Sequence, residues 1–491
     1  MRNLDQDWLA QYPQPLRRGL VAVAEHFAVQ LYIAGGAVRD WLGNKPCHDL
    51  DIAASADGVA CARFLAEHLG AAFVPLDEKE GVARVVWHGY EVDFSTFRDG
   101  TATIEADLAR RDFTINSLGV AFDPNSGGLL PPFEIIDPLG GLFDLDHGLV
   151  RASGDFVFQA DPLRLLRAYR FVAGLGFQLE DETAKRIASQ ASLLANPAME
   201  RVAGELDLIM ASGRAAEAVA MMAANGLLWV IFPELRFGEG MAQPASHHLD
   251  VFAHNLEALR WMEKLLVDPG HWYPAHGQQF ADYLCQGKRG QWLYWAALFH
   301  DLGKPACYRI RDGRVTFYNH DQAGGRFFAD IARRLRWSRD DGRQVSRLIE
   351  LHMWPFHLCN ANRKARITPR ACLRLVKAAG DELPGLFLLA MADSLAGAGP
   401  DKPEGMEADL AALYGQVDAV YRESIRPVLE NPRLLSGHDL IREFGLPSGK
   451  IIGEILKQLE AAQVAGEVGN RGEAEEWVRS FIAARFPVKS H

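Results

Sequence analysis

The sequence predicts an α+β protein, in which a small mixed sheet near the N-terminus is followed by a long all-helical region. Apolar runs of strand length alternate with turn residues up to about residue 150, after which apolar residues recur at helical spacing. The length of 491 residues and the hydrophobic content of 48% suit a globular protein. Such a chain is expected to contain about three domains, each with its own core.

Two stretches rich in Gly and Pro are interpreted as linkers, at 237–250 and 394–405. Residues 1 to about 30 predict a leading amphipathic helix, because apolar side chains recur there at helical spacing. The expected domains are a sheet-containing head, a helical neck, a second helical domain and a helical C-terminal module. Their expected bounds are 1–150, 151–240, 245–400 and 405–491.

Charge and cysteine usage exclude several classes of protein. The net charge of −11 argues against a general nucleic-acid coat protein, although it permits a local basic groove. The six cysteines are scattered without a CxxC pair, which fits a reducing cytoplasm and argues against a zinc ribbon. We see no secretory signal and no apolar run of about 18 residues, so we expect a cytoplasmic protein without a membrane span.

A glycine pair followed by two carboxylates dominates the head. Gly35 and Gly36 end an apolar run, and a second apolar run carries Asp49 and Asp51. Side chains alternate along a strand, so the two carboxylates project to the same side. Mg²⁺ relieves the repulsion between such carboxylates, and a glycine pair lets backbone N–H groups approach a phosphate. These residues predict magnesium-dependent phosphoryl transfer on a nucleotide.

The next strands extend this site. Residues 82–97 predict a hairpin around His88 and Gly89, which places Asp93 on a strand face. If that strand neighbours the one carrying Asp49 and Asp51, Asp93 is a third carboxylate for the metals; otherwise it is a surface acid. Farther along, Arg111 offers a bidentate fork for triphosphate oxygens.

These segments, in this order and spacing, resemble the class II CCA-adding tRNA nucleotidyltransferase and bacterial poly(A) polymerase family, of the polymerase β-type superfamily. The resemblance implies a head of polymerase β type in which Asp49, Asp51 and Asp93 are catalytic and hold two Mg²⁺ ions. It also implies a set of nucleotide-binding residues for the phosphates, the sugar and the base. In the head these are Gly35, Gly36, Arg39, Arg111, Asp112 and Asn116.

The neck begins with a polar pair. Asp161 and the following proline predict a helix start, and Arg164 lies one turn later on the same face. From the residues alone, Asp161 and Arg164 could equally form an ion pair within the helix. The resemblance implies that Asp161 and Arg164 form a protein template for the base of CTP or ATP, with Arg167 and Arg170 completing the nucleotide-binding set. Ala160 stands where the family has Glu, which affects how the arginine is fixed.

The second helical domain carries the string His300-Asp301, with Lys304 three residues later. With His254 and Asp393 on other helices, it resembles the HD phosphohydrolase superfamily. The resemblance implies that His254, His300, Asp301 and Asp393 bind a divalent metal of unidentified element, while Lys304 faces a phosphate. A second metal site with His320 and His352 as ligands is one interpretation of those residues, and ordinary polar surface is the other.

The C-terminal module contains glycine-rich turns that open helices, as at Gly449. Helix capping is the simpler interpretation, whereas the resemblance implies a contact with the tRNA elbow.

The expected function is the addition of CMP and AMP, from CTP and ATP, to the 3′ end of tRNA by two-metal nucleotidyl transfer. The HD domain implies a further phosphatase or 2′,3′-cyclic phosphodiesterase activity. Alternatives within the family are A-adding, CC-adding and poly(A)-adding enzymes. Two remoter ones are an HD phosphohydrolase with a regulatory nucleotide-binding head, disfavoured by the intact carboxylates, and a non-catalytic RNA scaffold, disfavoured by the acidic net charge. The sequence does not indicate an oligomeric state.

Overall fold

The computed structural model describes residues 2–77 and 80–485, which form two compact units. The first unit extends through Arg214 and includes Ala220–Ile231. The second comprises Ala215–Val219 and the described chain from Phe232 onward. The first unit contains a seven-stranded sheet and the second is almost wholly helical, so the α+β prediction is confirmed.

The sheet is mixed, with the strand order β3-β4-β5-β2-β1-β6-β7. Strands β2 and β5 run parallel, and the other neighbours are antiparallel. The predicted hairpin is confirmed as β4 and β5, and the register sets Asp51 directly beside Asp93. The strands are β1 Leu31–Ala34, β2 Asp49–Ala54, β3 Ala72–Asp77, β4 Val82–Trp87, β5 Tyr90–Thr96, β6 Gly119–Asp123 and β7 Gly128–Leu129.

Helices α1 and α3 pack over the core of this sheet. The predicted leading helix is wrong in extent: a 3₁₀ turn at Trp8–Gln11 comes first, and α1 begins only after Pro13, whose fixed φ suits a helix start. Helix α3 was not predicted, although Asp57 caps its N-terminus by accepting from two backbone N–H groups. The helices of the head are α1 Gln14–Phe27, α2 Gly36–Leu42, α3 Gly58–Leu69, α4 Ile104–Leu108 and α5 Gly141–Asp146.

The neck is helical except for one parallel strand pair. Helix α7 begins at Arg164, three residues later than predicted, because Asp161 instead closes a turn by accepting from the Leu163 N–H at 3.1 Å. The elements from 149 to 231 are β8 Leu149–Val150, α6 Val157–Ala160, α7 Arg164–Leu175, β9 Gln178–Leu179, α8 Asp181–Gln190, α9 Met199–Met210, α10 Ala215–Ala224 and α11 Leu227–Ile231.

In the second unit, the apolar helix α22 is buried along most of its length and packs against α13 and α16. A short antiparallel hairpin, β10 and β11, interrupts the helices, so the all-helical expectation is wrong at this point. The elements up to residue 396 are α12 Pro233–Arg236, α13 Val251–Val267, α14 Pro269–Trp272, α15 Gly277–Leu284, α16 Arg289–Phe299, α17 Lys304–Cys307, β10 Arg309–Arg311, β11 Arg314–Thr316, α18 His320–Arg334, α19 Arg339–Leu351, α20 Trp354–Asn362, α21 Pro369–Ala379 and α22 Leu383–Ala396.

Of the remaining helices, the last three surround a small core of their own that includes Leu440, Ile455 and Val478, whereas the first packs against α20 and α22. A π-helical turn at Tyr421–Ile425 separates the first two of them. Among the described helices of the chain, none has the length and apolar character to cross a bilayer. These last helices are α23 Met406–Val420, α24 Arg426–Glu430, α25 Gly437–Phe444, α26 Lys450–Val464 and α27 Arg471–Arg485.

The two predicted linkers differ in the structure. The 237–250 stretch contains no regular helix or strand, as expected. The 394–405 stretch is only partly irregular, because α22 continues to Ala396. Its irregular part is tied down by backbone hydrogen bonds from Gly399 to Ser246 at 3.0 Å and from Asp401 to Ala245 at 3.1 Å. It is therefore an ordered part of the second unit.

Gly58, at the start of α3, tests how tightly this helix packs on the sheet. A Cβ there would lie 2.5 Å from the Gly81 carbonyl oxygen and 2.7 Å from the Thr96 nitrogen, which are backbone atoms. We expect Gly58→Ala to destabilise the first unit by about 1–3 kcal/mol through overpacking. Gly174→Ala is the control, because its Cβ would meet open space on α7. Thermal melts followed by circular dichroism should show a lower Tm for Gly58→Ala alone; equal melts would contradict the packing described.

Candidate active sites

The first unit contains a cavity of about 460 Å³. Every head and neck residue that the sequence predicted as catalytic or nucleotide-binding lines it. They are Gly35, Gly36, Arg39, Asp49, Asp51, Asp93, Arg111, Asp112, Asn116, Asp161, Arg164, Arg167 and Arg170. The cavity wall contains eight arginines and six aspartates, which suits a polyanionic ligand accompanied by a cation.

Gly35 lies where an aspartate and an arginine converge. Its φ is +74°, and a Cβ there would lie 2.7 Å from both Asp51 Oδ2 and Arg111 Nη1. The Gly36 N–H donates to Asp51 Oδ2 at 3.4 Å. Burial and the neighbouring Asp93 raise the pKa of Asp51, and the Arg111 guanidinium opposes this shift. Glycine at position 35 is therefore needed for both its backbone conformation and its lack of a side chain.

Asp93 is held by an arginine that the sequence analysis missed. Arg84 Nε lies 2.7 Å from Asp93 Oδ1, and Arg84 Nη2 lies 2.9 Å from Oδ2, so the pair is bidentate. The predicted hairpin register already places Arg84 opposite Asp93, which is the signal that was available. Asp49, Asp51 and Asp93 offer oxygen ligands from adjacent strands, a donor set that fits Mg²⁺.

A chain of polar contacts orients the arginines on the other wall. Asp112 accepts from Arg167 Nε at 2.9 Å and from Asn116 Nδ2 at 3.0 Å. Asn116 Oδ1 in turn accepts from Arg39 Nη1 at 2.6 Å. Burial alone would raise the pKa of Asp112, but Arg167 and the other partners hold it below its ordinary value. Asp112 and Asn116 thus act in this structure by positioning the two arginines.

The Asp161 and Arg164 side chains line the same cavity without pairing with each other among the described residues. Asp161 Oδ2 instead accepts from Arg201 Nη2, on α9, at 3.1 Å. Arg164 Nη1 is buried without a hydrogen-bond partner, and burial lowers the pKa of this guanidinium. No local pattern in the sequence identifies Arg201, because it lies 40 residues from its partner.

The second unit contains a cavity of about 520 Å³, with Asp301, Lys304, His320 and Asp393 in its wall. Two groups of buried side chains there have ligand-type atoms within 4.8 Å of one another. One group is His254, His300 and Asp393, and the other is Asp301, His320 and His352. The four predicted HD ligands are therefore brought together, and His320 and His352 are buried in the same cluster rather than being polar surface.

Three of the imidazoles share one arrangement. The Nδ1 atom of each lies within hydrogen-bond distance of the carbonyl oxygen three residues earlier, so Nδ1 carries a proton and Nε2 is directed toward Asp301. The pairs are His300 with Ala297 at 2.9 Å, His320 with Phe317 at 2.8 Å and His352 with Ile349 at 2.7 Å. The Nε2 atoms of His320 and His352 are 3.2 Å apart, a contact that requires a proton or a cation between them.

Asp301 belongs to the second of these groups and also contacts the first. Its Oδ2 is 3.3 Å from His300 Nε2, and its Oδ1 is 3.3 Å from His320 Nε2. Burial would raise the pKa of Asp301, but His300 and Lys304 lower it well below its usual range. Burial lowers the pKa of His352 to about 3, so this imidazole is neutral. Although burial opposes the shift, Asp301 and Asp393 raise the pKa of His300 to about 10. Imidazoles with shared carboxylates fit a divalent transition metal.

Lys304 has two partners at the cavity wall. Its Nζ lies 2.5 Å from Asp301 Oδ2 and donates to Gln243 Oε1 at 2.6 Å. Gln243 and His247, which also contacts the cluster through its ring, lie in the 237–250 stretch. The sequence analysis missed both because a stretch without regular structure was interpreted only as a linker.

Comparison with known proteins finds matching families for the regions that contain both cavities. Residues 31–151 match the "Poly A polymerase head domain" model and residues 251–395 the "HD domain" model. Residues 176–237 match the "Probable RNA and SrmB-binding site of polymerase A", and residues 427–478 match domain 2 of tRNA nucleotidyltransferases. An A-adding tRNA nucleotidyltransferase of Deinococcus radiodurans is 35% identical over 458 residues, covering 91% of this chain and 95% of the relative. The chain belongs to the tRNA nucleotidyltransferase and poly(A) polymerase family.

Further relatives agree with this membership and with the fold. A CC-adding tRNA nucleotidyltransferase of Geobacter sulfurreducens is 30% identical over 497 residues, covering 97% of each chain. The Thermotoga maritima CCA-adding enzyme complexed with tRNA has the same fold, with a TM-score of 0.63 and 21% identity over 98% of this chain and 99% of that chain. A CCA-adding enzyme in complex with ATP gives a TM-score of 0.65 with the same identity and coverage. The chain is accordingly an enzyme of the nucleotidyltransferase type.

The close approach of Asp51 and Arg111 to Gly35 can be tested by substitution. Gly35→Ala places a methyl group against Asp51 and Arg111 and requires an unfavourable φ, so we expect nucleotidyl transfer to fall on the order of 10²-fold by misplacing these groups. Gly36→Ala is the matched control, because the nearest atom to its Cβ would be Arg39 Nη2 at 3.5 Å. Steady-state transfer assays compare the two variants, with circular dichroism to check folding. Equal losses in both would show that the approach at Gly35 is unimportant.

Proposed function

We propose that the first unit adds CMP and AMP, from CTP and ATP, to the 3′ end of tRNA and so completes or repairs a CCA end. The observation that supports this most strongly is the single cavity, in which carboxylates from adjacent strands, several arginines and the Asp161 and Arg164 pair meet. Relatives named as A-adding, CC-adding and CCA-adding support the same reaction class.

The carboxylates and the arginines of the cavity have different roles in nucleotidyl transfer. When bound by Asp49, Asp51 and Asp93, Mg²⁺ supplies activation of the terminal 3′ hydroxyl and neutralises charge on the triphosphate. Arg111 binds triphosphate oxygens, and so does Arg39, which Asn116 holds in place. Arg84 neutralises Asp93 in this structure, and a cation held by that carboxylate would supply the same compensation.

Base selection follows from the polarity of two side chains. The Asp161 carboxylate accepts from an amino group, and the unpaired Arg164 Nη1 donates to a ring nitrogen. Cytosine and adenine both present an amino donor beside a ring-nitrogen acceptor, whereas uracil and guanine present a carbonyl oxygen beside a ring N–H. Uracil and guanine would therefore face the carboxylate with an oxygen and the guanidinium with a hydrogen. Arg201 holds Asp161 in place.

A-only addition is the second candidate. The Deinococcus radiodurans relative, which matches over nearly its whole length, is named as A-adding. Ala160 also stands where the resemblance implies Glu, so the template arginine lacks that partner here. CC-only and poly(A) addition are the further outcomes that an assay has to separate.

The second unit is proposed to hydrolyse a phosphomonoester or a 2′,3′-cyclic phosphate at an RNA end. Its six buried histidine and aspartate side chains would hold divalent metal, which supplies a water molecule of lowered pKa. Lys304, in the cavity wall, is placed to pair with a phosphate. Removal of a damaged terminal phosphate would leave the hydroxyl that nucleotide addition requires.

The transfer proposal is tested with tRNAs truncated before the first C, the second C and the final A. CTP and ATP are offered singly and together, and product length is read. We expect growth to one complete CCA, and no transfer by Asp51→Asn because a catalytic carboxylate is lost. Addition of A alone selects the second candidate, and growth past CCA selects a poly(A) polymerase. Efficient incorporation of UMP or GMP would refute the role given to Asp161 and Arg164.

The hydrolase proposal predicts separable activities. His300→Ala should abolish the opening of 2′,3′-cyclic-phosphate RNA ends to a phosphomonoester, and any release of phosphate from that monoester, while keeping nucleotide addition, and Asp49→Ala should do the reverse. Metal analysis provides an independent measurement: Asp301→Asn, which alters the carboxylate between the two groups, should lower the content of divalent ions bound by the purified protein. An unchanged metal content in Asp301→Asn would contradict the assignment of the cluster.

A further inference from the structure

The hairpin β10–β11 is a basic projection between two elements of the HD cluster. It follows the helix that begins with Lys304 and precedes the helix that begins with His320. Arg309, Arg311 and Arg314 are all exposed on it. Among the described residues, none of the three forms an ion pair with a carboxylate; Arg309 donates to a backbone carbonyl, and Arg311 lies over an aromatic ring.

This charge pattern is unfavourable for folding. The register places Arg311 directly opposite Arg314, and like charges in a cross-strand pair destabilise a hairpin. Two exposed arginines elsewhere in the second unit have acidic partners, Arg333 with Asp330 at 3.0 Å and Arg343 with Asp340 at 2.5 Å. The clustering of three exposed arginines on one short hairpin, two of them directly opposite each other, is explained if the hairpin binds an external anion.

An aromatic platform continues from the hairpin toward the cavity. Tyr318 is 65% exposed, and the Arg311 guanidinium carbon lies 5.0 Å from the centre of its ring. Thr316, Phe317 and Tyr318 all line the cavity that contains Asp301 and Lys304. The arginines and the metal cluster are therefore joined by a continuous surface.

We infer that the hairpin Arg309–Thr316, together with Tyr318, binds the backbone of single-stranded RNA and guides its terminal phosphate into the HD cavity. Arginines pair with successive phosphates, and an exposed aromatic ring stacks on a base of any kind. The inference rests on the proposed hydrolase function and makes its substrate an RNA end rather than a free nucleotide.

Binding is tested first by a measurement that needs no hydrolysis. A single-stranded oligoribonucleotide carrying 4-thiouridine next to a 3′ phosphate is photo-cross-linked to the full chain, and the attached peptide is identified by mass spectrometry. We expect cross-links within 309–318 that disappear in the triple variant Arg309→Ala/Arg311→Ala/Arg314→Ala. The slope of log affinity against log salt should fall by about 2, since each single-strand phosphate contact contributes about 0.7.

Hydrolysis separates the two proposals. The triple variant should raise the KM for an RNA with a 2′,3′-cyclic end at least tenfold, while cleavage of 2′,3′-cyclic AMP is unchanged. Arg333→Ala/Arg343→Ala, which removes two arginines that have acidic partners, should change neither. Cross-links without any hydrolysis would overturn the hydrolase function but would still support RNA binding by the hairpin. Absence of hairpin cross-links, or equal KM values for RNA in the wild type and the triple variant, would overturn the surface.

Discussion

Each site encloses several carboxylates close to one another, and both sites depend on how their negative charge is compensated. Acidic groups out of bulk water repel one another and keep their charge only when cations or hydrogen-bond donors compensate them. In the head, Arg84 and Arg111 provide that compensation for Asp93 and Asp51. In the HD cluster, Lys304 and the imidazoles provide it for Asp301. The basic side chains around each site are therefore required for the acidic ones to remain ionised.

The two sites meet this constraint with different chemistry. The head compensates its acids with permanent guanidinium charges, which also match the oxygens of a triphosphate. The HD cluster uses imidazoles whose Nδ1 atoms are held by main-chain carbonyl groups, which directs their Nε2 atoms toward the carboxylates. Oxygen ligands in the head favour a hard cation, and the mixed nitrogen and oxygen set favours a transition metal.

Much of this could be predicted because the informative residues are local in sequence. The alternation of strand side chains placed Asp49 beside Asp51, and the hairpin pattern brought in Asp93. Arg84 was also within reach, since the same hairpin pairs it with Asp93. Arg201 and Gln243 were not, because their partners are 40 and 61 residues away and only tertiary packing brings them together. The late start of α7 was missed because Asp161 serves a turn rather than a cap.

The link between Asp161 and Arg201 has a mechanical consequence. Asp112 is buried and accepts hydrogen bonds from both Arg167 and Asn116, so the arginines on this wall of the cavity are held firmly. Asp161, in contrast, accepts from the Leu163 N–H of its own turn and from Arg201, whose side chain is 57% exposed. If Asp161 reads the base as proposed, a small displacement of α9 would move Arg201 and change the hold on that carboxylate, while the arginines proposed to bind phosphate keep their partners. Base selection would then depend on the position of a helix, which a bound RNA adjusts as its end lengthens, without any change in the reacting groups.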